Sequence, residues 1–552
     1  MKAVRSEVTH RFAAALLTLS LVLAACGTST DLPVRSGSPT PAAPRPLSVL
    51  AVDRSSGGPV PGAAVTVDGS TATADASGRA RVTAAPGARV QATATGFDAA
   101  MGSVPAGGDL TIRLRPNVVH GVVTDDKGVP LSGARVFVDG QIAVARSDAG
   151  GRYALAGVPA GGTLIYKMPG FRLAALPIDD RMRKDVAMRP FSARALYAPA
   201  AVFEAPDRLD HLLDLAARTE VNALVIDVKE TAGTLYWATD LPQAKKVGAV
   251  MAQPLFKLDE LLPKLKARGI YTIARMVVMK DNTLGAARPD LAVMNAQTRQ
   301  PWRDFGGGIW LDPFNPGVAE YVAAVAADLA DKGFDEVQLD YVRFFSDGPY
   351  ALADTNLPNA QSFRLPAIRR LFRVVSAQFD HRKAFLGADV FPISFISPDD
   401  QGIGQRPEVI MPYVDYFDPM TYPSHYGPGT FGFAVPNEHP YEIINQSLQR
   451  MNREGAGLPM KIRPWIQDFG YGPFRAYTRA DVLAEMRALA DNRARGWMIW
   501  NAQATFTESA LGPPRPDEVP APVTSLPPTP SLSAEPSPAA SGSPLPSLAP
   551  SP

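Results

Sequence analysis

A single cysteine, Cys26, in a chain of 552 residues leaves no intrachain disulfide possible. Histidine is scarce as well. There are 6, with no His-x-His or His-Glu-x-x-His spacing, so no metal site is expected. No Gly-x-Ser-x-Gly turn presents a serine nucleophile. The run Gly306-Gly307-Gly308 precedes Trp310 rather than a helix and reads as loop, not as a phosphate cradle. Neither sign of charge dominates: 55 Lys+Arg against 54 Asp+Glu gives +1. No nucleic-acid partner is therefore expected. Beyond the first 25 residues no apolar run is long enough to span a bilayer. No cofactor is implied by any motif.

What is present begins with an export signal. Lys2, Arg5 and Arg11 precede an apolar run from Phe12 to Ala25, which ends Leu23-Ala24-Ala25-Cys26-Gly27. A basic start, a short apolar stretch and small residues before a cut site describe a secretory signal peptide over 1–25. Leu-Ala-Ala-Cys resembles the bacterial lipobox, which implies lipidation of Cys26. The chain is then expected outside the cytoplasm, held to the bacterial membrane by its N-terminal lipid. The alternative is an ordinary signal peptide that happens to contain a cysteine. The 53 prolines crowd into the two ends. Residues 26–46 read as a flexible linker and 512–552 as a Pro/Ser/Ala-rich tail without a core.

Two similar units follow the linker, over 47–115 and 116–190. Each has a strand, a Gly/Pro turn, a Pro-x-x-Gly-Ala-x-Val strand, an Asp-Gly turn and an Asp-Ala-x-Gly-Arg turn. Short alternating strands at this spacing predict two small β-sandwiches. Ser147-Asp148-Ala149-Gly150-Gly151-Arg152-Tyr153, followed by Val158-Pro159-Ala160-Gly161, resembles the ending of the carboxypeptidase regulatory-like domain. Neither unit carries a cluster of acids and histidines, so spacer or weak binding module is the expectation.

From Ala193 the texture changes to strand-like runs alternating with helical stretches, the pattern of a parallel sheet. Eight strands are expected: 193–203, 223–229, 270–279, 336–344, 384–391, 413–422, 461–469 and 496–501. Helices are expected between most of them, with the one between strands five and six poorly marked. Eight such units over 193–505 predict a (β/α)8 TIM barrel in the α/β class.

In this fold chemistry sits at the carboxyl ends of the strands. Polar and aromatic residues collect there: Asp227, Lys229 and Glu230 after strand two, Asp340 with Tyr341 and Arg343 after strand four, Asp389 after strand five, Asp418 with Tyr422 after strand six, Trp465 and Asp468 on strand seven, Trp497 and Trp500 on strand eight. An Asp inside a strand buried on both faces costs several kcal/mol unless paired. Acids beside aromatics point to sugar chemistry, in which rings stack on pyranose faces and two carboxylates cleave the glycosidic bond. Asp227, Lys229, Arg343, Tyr341, Tyr422, Trp465 and Trp500 are the expected substrate-binding residues. Core packing is the other reading of Trp497 and Trp500. Arg343 either holds a neighbouring carboxylate ionised or pairs structurally with Asp335 or Glu336. Asp312 reads as a turn residue before Pro313, and His425 as a candidate with a plain loop alternative.

The block Phe334-Asp335-Glu336-Val337-Gln338-Leu339-Asp340-Tyr341-Val342-Arg343-Phe344 resembles a bacterial family grouped as glycoside hydrolases, distantly similar to α-amylase-type barrels. The blocks at Asn222–Glu230, Trp310–Asn315, Asp415–Tyr426 and Ile462–Phe469 carry the same resemblance. By position it implies Asp340 as nucleophile or base, Asp389 as general acid and Asp468 as supporting carboxylate. Strand five carries Asp where that clan usually has Glu. Asp418 competes, because Asp418-Pro419-Met420-Thr421-Tyr422 resembles the strand-six segment of chitinase-type barrels. The implied activity is hydrolysis of an envelope or environmental polysaccharide or oligosaccharide. The alternatives are a carbohydrate-binding or scaffold lipoprotein with a degenerate barrel, and a deacetylase-like or lyase activity on amino sugars.

Overall fold

The computed structural model describes residues 43–458 and 460–514; Cys26, the linker to Ala42 and the tail from Arg515 lie outside them. The internal repeat read from sequence is a structural repeat. The first unit packs a three-stranded sheet (Arg79–Ala84, Arg45–Asp53, Leu110–Leu114) on a four-stranded one (Ser70–Thr73, Ala64–Val67, Arg89–Thr93, Ala100–Ser103). The second repeats that order with Arg152–Ala156, Val118–Asp125 and Val186–Met188 against Val144–Arg146, Arg135–Val138, Thr163–Lys167 and Ala174–Pro177. Each has its own apolar core of alternating residues.

The barrel strands are Ala193–Ala198, Ala223–Lys229, Tyr271–Val277, Glu336–Asp340, Phe385–Val390, Tyr416–Pro419, a split seventh strand (Lys461–Ile462 and Trp465–Gln467) and Gly496–Trp500. All neighbours pair in parallel. The seventh strand closes the cylinder. Its first half pairs with strand six and its second with strand eight, on either side of Arg463-Pro464, where proline has no N–H to donate. Several strands stop short of the sequence expectation. Strand one ends at Ala198 because Pro199 opens a short helix, and strand four ends at Asp340 because Tyr341 turns left-handed.

Side chains alternate along each strand. Leu196, Ile226, Met276, Leu339, Val390 and Ile499 face outward, where they pack on the helix ring. That ring includes Pro206–Arg218, Leu258–Ala267, Pro316–Lys332, Gln361–Ser376, Pro440–Glu454 and Arg479–Asp491. The helix 316–332 has an Asn315 side-chain cap, 2.9 Å from Gly317 N, and ends at Gly333 with φ 106°. Between strands five and six the helical layer breaks into Ile393–Ile396 and Pro407–Ile410. Alternate positions fill the interior with Ala195, Val225, Ile273, Phe385, Tyr416 and Met498.

The second sandwich covers the floor, the amino-terminal end of the strands. Arg135 pairs with Asp415, just before strand six. Buried Lys167 donates to the carbonyls of Phe379 (2.9 Å), Arg382 (3.0 Å) and Ala384. Gly170 N donates to the Tyr416 hydroxyl at 3.0 Å. Function is left to the opposite end. Among the described residues no helix is long and apolar enough to cross a membrane.

Candidate active site

A cavity of about 330 Å³ opens at the carboxyl ends of the strands. Its floor is made of inward-pointing residues near the ends of strands one to five and seven: Tyr197, Asp227, Arg275, Asp340, Asp389 and Trp465. Six positions of the same barrel face, contributed by six strands, thus converge at one mouth.

Arg275 organises the acids. Its Nη1 donates to Asp227 Oδ1 at 2.5 Å, its Nε donates to Asp340 Oδ2 at 3.1 Å, and its Nη2 also reaches Asp340 Oδ2. Asp389 Oδ2 lies 3.9 Å from Arg275 Nε. The guanidinium fork suits this task, because it offers fixed donors to more than one carboxylate. It lies 5.2 Å from the Trp500 ring centroid and 5.8 Å from that of Tyr197. Tyr197 stacks on Trp500 with centroids 3.9 Å apart, and its hydroxyl donates to Asp227. Neither Tyr197 nor Arg275 is among the residues expected from sequence. The available signal was a charged side chain at the third inward position of an otherwise apolar strand.

The acids in this cluster differ. Asp340 is ion-paired with Arg275, and its Oδ1 accepts from Tyr341 N at 2.6 Å. Asp389 accepts at Oδ1 from Trp465 Nε1, 2.6 Å away, while its buried Oδ2 has no hydrogen bond. Burial first, then the negative fields of Asp340 and Asp418, hold the Asp389 carboxyl well above the usual range. The proton is thus held more tightly on Asp389 than on an ordinary carboxyl, beside an Asp340 that is ion-paired with Arg275. Burial also raises Asp227, against the pull of Arg275. Glu230, at the rim, is raised by burial and by Asp227.

Of the other expected residues, Tyr341, Arg343, Tyr422 and Trp500 line the cavity. Tyr341 has φ 51°, a left-handed conformation rare for a bulky residue. Arg343 pairs with neither Asp335 nor Glu336; Asp335 takes bonds from Thr272, and Glu336 pairs with Arg463. Trp497 sits in the outer core against the helices, so the two strand-eight tryptophans part ways.

Three expected residues are not brought to the cavity. Lys229 follows a register shift after Asp227, and its Nζ goes to Val277 O (2.6 Å) and Asp281 Oδ2 (2.8 Å). Asp468 accepts from Thr507 N at 2.6 Å and Thr507 Oγ1 at 2.7 Å, tying strand seven to the segment after strand eight. Asp418 lies one layer below the mouth. There it joins Gln338 (2.9 Å), Arg463 (3.2 Å) and Glu336 in a fully buried network, with its carboxyl raised to about 7 mainly by burial. Gly387 makes room for this network, since a Cβ there would sit 2.7 Å from both Asp418 Oδ2 and Glu336 Oε1. Asp312 caps its turn through Phe314 N and Asn356 N, and His425 bonds Ser424 Oγ at 2.9 Å beside Tyr471. Among the described residues no group of three or more His, Cys, Asp or Glu side chains is placed to hold a metal ion.

Two family models match the chain, one over the second sandwich and one over the barrel. Residues 118–188 match the carboxypeptidase regulatory-like domain. Among solved structures, the chain is similar to a hypothetical protein from Ruminiclostridium thermocellum ATCC 27405 (31% identity over 35% of this chain and 97% of that one, TM-score 0.31). It is similar to the PgaB (BpsB) glycoside hydrolase domain from Bordetella bronchiseptica (16%, 58% and 99%, TM-score 0.43). It is also similar to TtGalA, an alpha-galactosidase from Thermus thermophilus (13%, 76% and 74%, TM-score 0.37). Among curated proteins none matches the chain. Residues 195–506, more than half of the chain and all but the first strand's opening residues of the barrel, match the family described as "Putative glycosyl hydrolase domain", and the protein belongs to that family.

Proposed function

We propose that the barrel hydrolyses glycosidic bonds with Asp340 as nucleophile and Asp389 as acid and base. The observation that carries this reading is the contrast between the two side chains around one guanidinium. Asp340 is ion-paired with Arg275 and oriented by it; the Asp389 carboxyl, held above the usual range by burial and its acidic neighbours, lines the same cavity with Oδ2 3.9 Å from Arg275 Nε. In the first step Asp389 gives its proton to the bridging oxygen as the C1–O bond breaks, and Asp340 forms a bond to C1. In the second, water attacks C1, returns a proton to Asp389 and frees Asp340. Arg275 Nε lies 3.1 Å from Asp340 Oδ2 and 3.9 Å from Asp389 Oδ2, so those oxygens are separated by at most the sum, about 7 Å. Retaining pairs lie about 5–5.5 Å apart and inverting pairs about 6.5–9.5 Å. That bound admits the retaining spacing and only the lower edge of the inverting one, and retention of configuration is the outcome we propose. Tyr197, Tyr341, Tyr422 and Trp500 supply ring faces for pyranoses.

The test is hydrolysis of a panel of envelope and storage glycans by wild type, Asp340→Asn and Asp389→Asn, with the first product's anomer read by NMR. Release by wild type alone, with retained configuration, supports the assignment. Equal release by wild type and Asp340→Asn overturns it, and no release by any of the three favours a binding protein. We further propose that Cys26, outside the described residues, carries the lipid that holds the protein to the bacterial cell membrane, facing the periplasm or the exterior. Labelled palmitate incorporated by wild type and absent from Cys26→Ser is the expected result.

A further inference from the structure

Two guanidinium groups line the cavity, and they are not equivalent. Arg275 is saturated by carboxylates. Arg343 is not. It is only 6% exposed, yet among the described residues no carboxylate oxygen lies within 4.0 Å of it. Its protein hydrogen bonds all leave from Nη1, to Phe344 O at 3.0 Å and Ser346 Oγ at 2.9 Å. The Nε–Nη2 edge bonds to nothing in the protein, and neither atom is among the sealed, unpartnered ones. That edge therefore opens into the cavity. Three rings fix the group, with its Cζ 4.9 Å from the centroids of Trp310 and Tyr341 and 4.7 Å from that of Phe391.

A buried charge without a counter-ion costs several kcal/mol, and folded proteins retain one only where something compensates it. Asp340, the neighbouring acid, is committed to Arg275 and Tyr341 N. Asp347, on the same loop, lies beyond ion-pair range. The rings offset part of the cost, but they leave two parallel N–H groups without acceptors. The Nε–Nη2 edge is the side of a guanidinium that meets a planar carboxylate with two parallel hydrogen bonds. The left-handed Tyr341 turn, two residues upstream, brings the start of this loop into the mouth beside Asp340.

We infer that Arg343 receives the carboxylate of an acidic sugar, so that the glycan bound in this cavity carries uronic acid units or their equivalent next to the scissile bond. This rests on the glycosidase reading for the word "scissile" but not for the binding itself, and the experiment separates the two. The full chain is titrated, by tryptophan fluorescence, with oligomers of glucuronate, galacturonate and mannuronate and with the carboxyl-reduced form of each. At least tenfold tighter binding of one acidic oligomer than of its reduced form is expected. Arg343→Gln is expected to abolish that preference, and Arg343→Lys, which keeps the charge but not the fork, to restore only part of it. Equal affinity for every acidic and reduced pair, or no binding by any acid, overturns the inference even if neutral glycans are hydrolysed. A preference that persists in Arg343→Gln overturns it too. Selective acid binding without hydrolysis upholds it while the glycosidase assignment falls. The wild-type comparison needs no variant, so a folding defect at position 343 leaves the result readable.

Discussion

Trp465→Phe is expected to move the alkaline limb of the pH–rate profile upward. The indole Nε1 donates to Asp389 Oδ1 at 2.6 Å, and its ring is held between Tyr197 and Trp500 at centroid distances of 6.3 and 5.5 Å. A hydrogen bond to a charged acceptor is worth about 1.5–3 kcal/mol and one to a neutral acceptor about 0.5–1.5 kcal/mol. The donor therefore favours the ionised carboxyl by roughly 1–1.5 kcal/mol, which at about 1.36 kcal/mol per unit is close to one pH unit. Phenylalanine keeps the ring contact and removes the donor. The carboxylate loses its support, the pKa of Asp389 rises further, and the acid stays protonated to a pH about one unit higher. The assay is kcat/KM against pH for both proteins. The same displacement is readable without substrate, from the carboxyl stretching band followed across pH by infrared difference spectroscopy. An unmoved limb, or one displaced downward, would refute the assignment of Asp389 as the group whose protonation limits activity at high pH.

Asp389→Asn is expected to reduce kcat by about 10²–10⁴ while raising stability at neutral pH. Below about pH 3.9, the unfolded carboxyl value, wild-type Asp389 is protonated in both states and the two proteins should match. Above it, the raised folded value makes wild type lose stability by up to about 1.4 kcal/mol per pH unit until the folded group ionises. Denaturant titrations at pH 4 and pH 7 check the sign. Lys229→Met is expected to cost about 3–5 kcal/mol by leaving Asp281 buried without its cation, with KM unchanged for the folded fraction. Asp468→Ala is expected to cost about 1–3 kcal/mol through the two lost Thr507 bonds, with kcat unaffected; a kcat loss at full stability would return Asp468 to the chemistry. Deleting residues 43–116 should leave the barrel folded. Extending the deletion to 190 should abolish soluble expression, because Asp415 and the carbonyls of Phe379 and Ala384 lose Arg135 and Lys167.

The barrel was legible because its strands are apolar on both faces and its helices are amphipathic, so the alternation survives in the sequence. The mouth was legible in part for the same reason. Asp227, Asp340 and Asp389 interrupt greasy runs, and an interruption at a strand end is visible. Asp418 interrupts its strand just as clearly, yet it serves an internal salt-bridge network. Sequence does not record which interior layer an inward residue occupies, because that depends on the stagger between strands. Lys229 misleads by a register shift after Asp227, which breaks the period of two. Arg275 escaped notice because its role exists only in relation to three acids on three other strands. Trp497 and Trp500 look alike in the sequence, and only their opposite faces separate a core residue from a cavity wall.

The covered floor of the cylinder settles which way the cavity looks. Because the N-terminal modules join the barrel from below, any surface that holds the chain by its beginning, whether a lipid layer or a resin bead, meets the end remote from the opening. Immobilising the protein through residue 43 should leave the rate on large polymers unchanged, whereas coupling through the rim at Glu230 should block long chains and spare short ones.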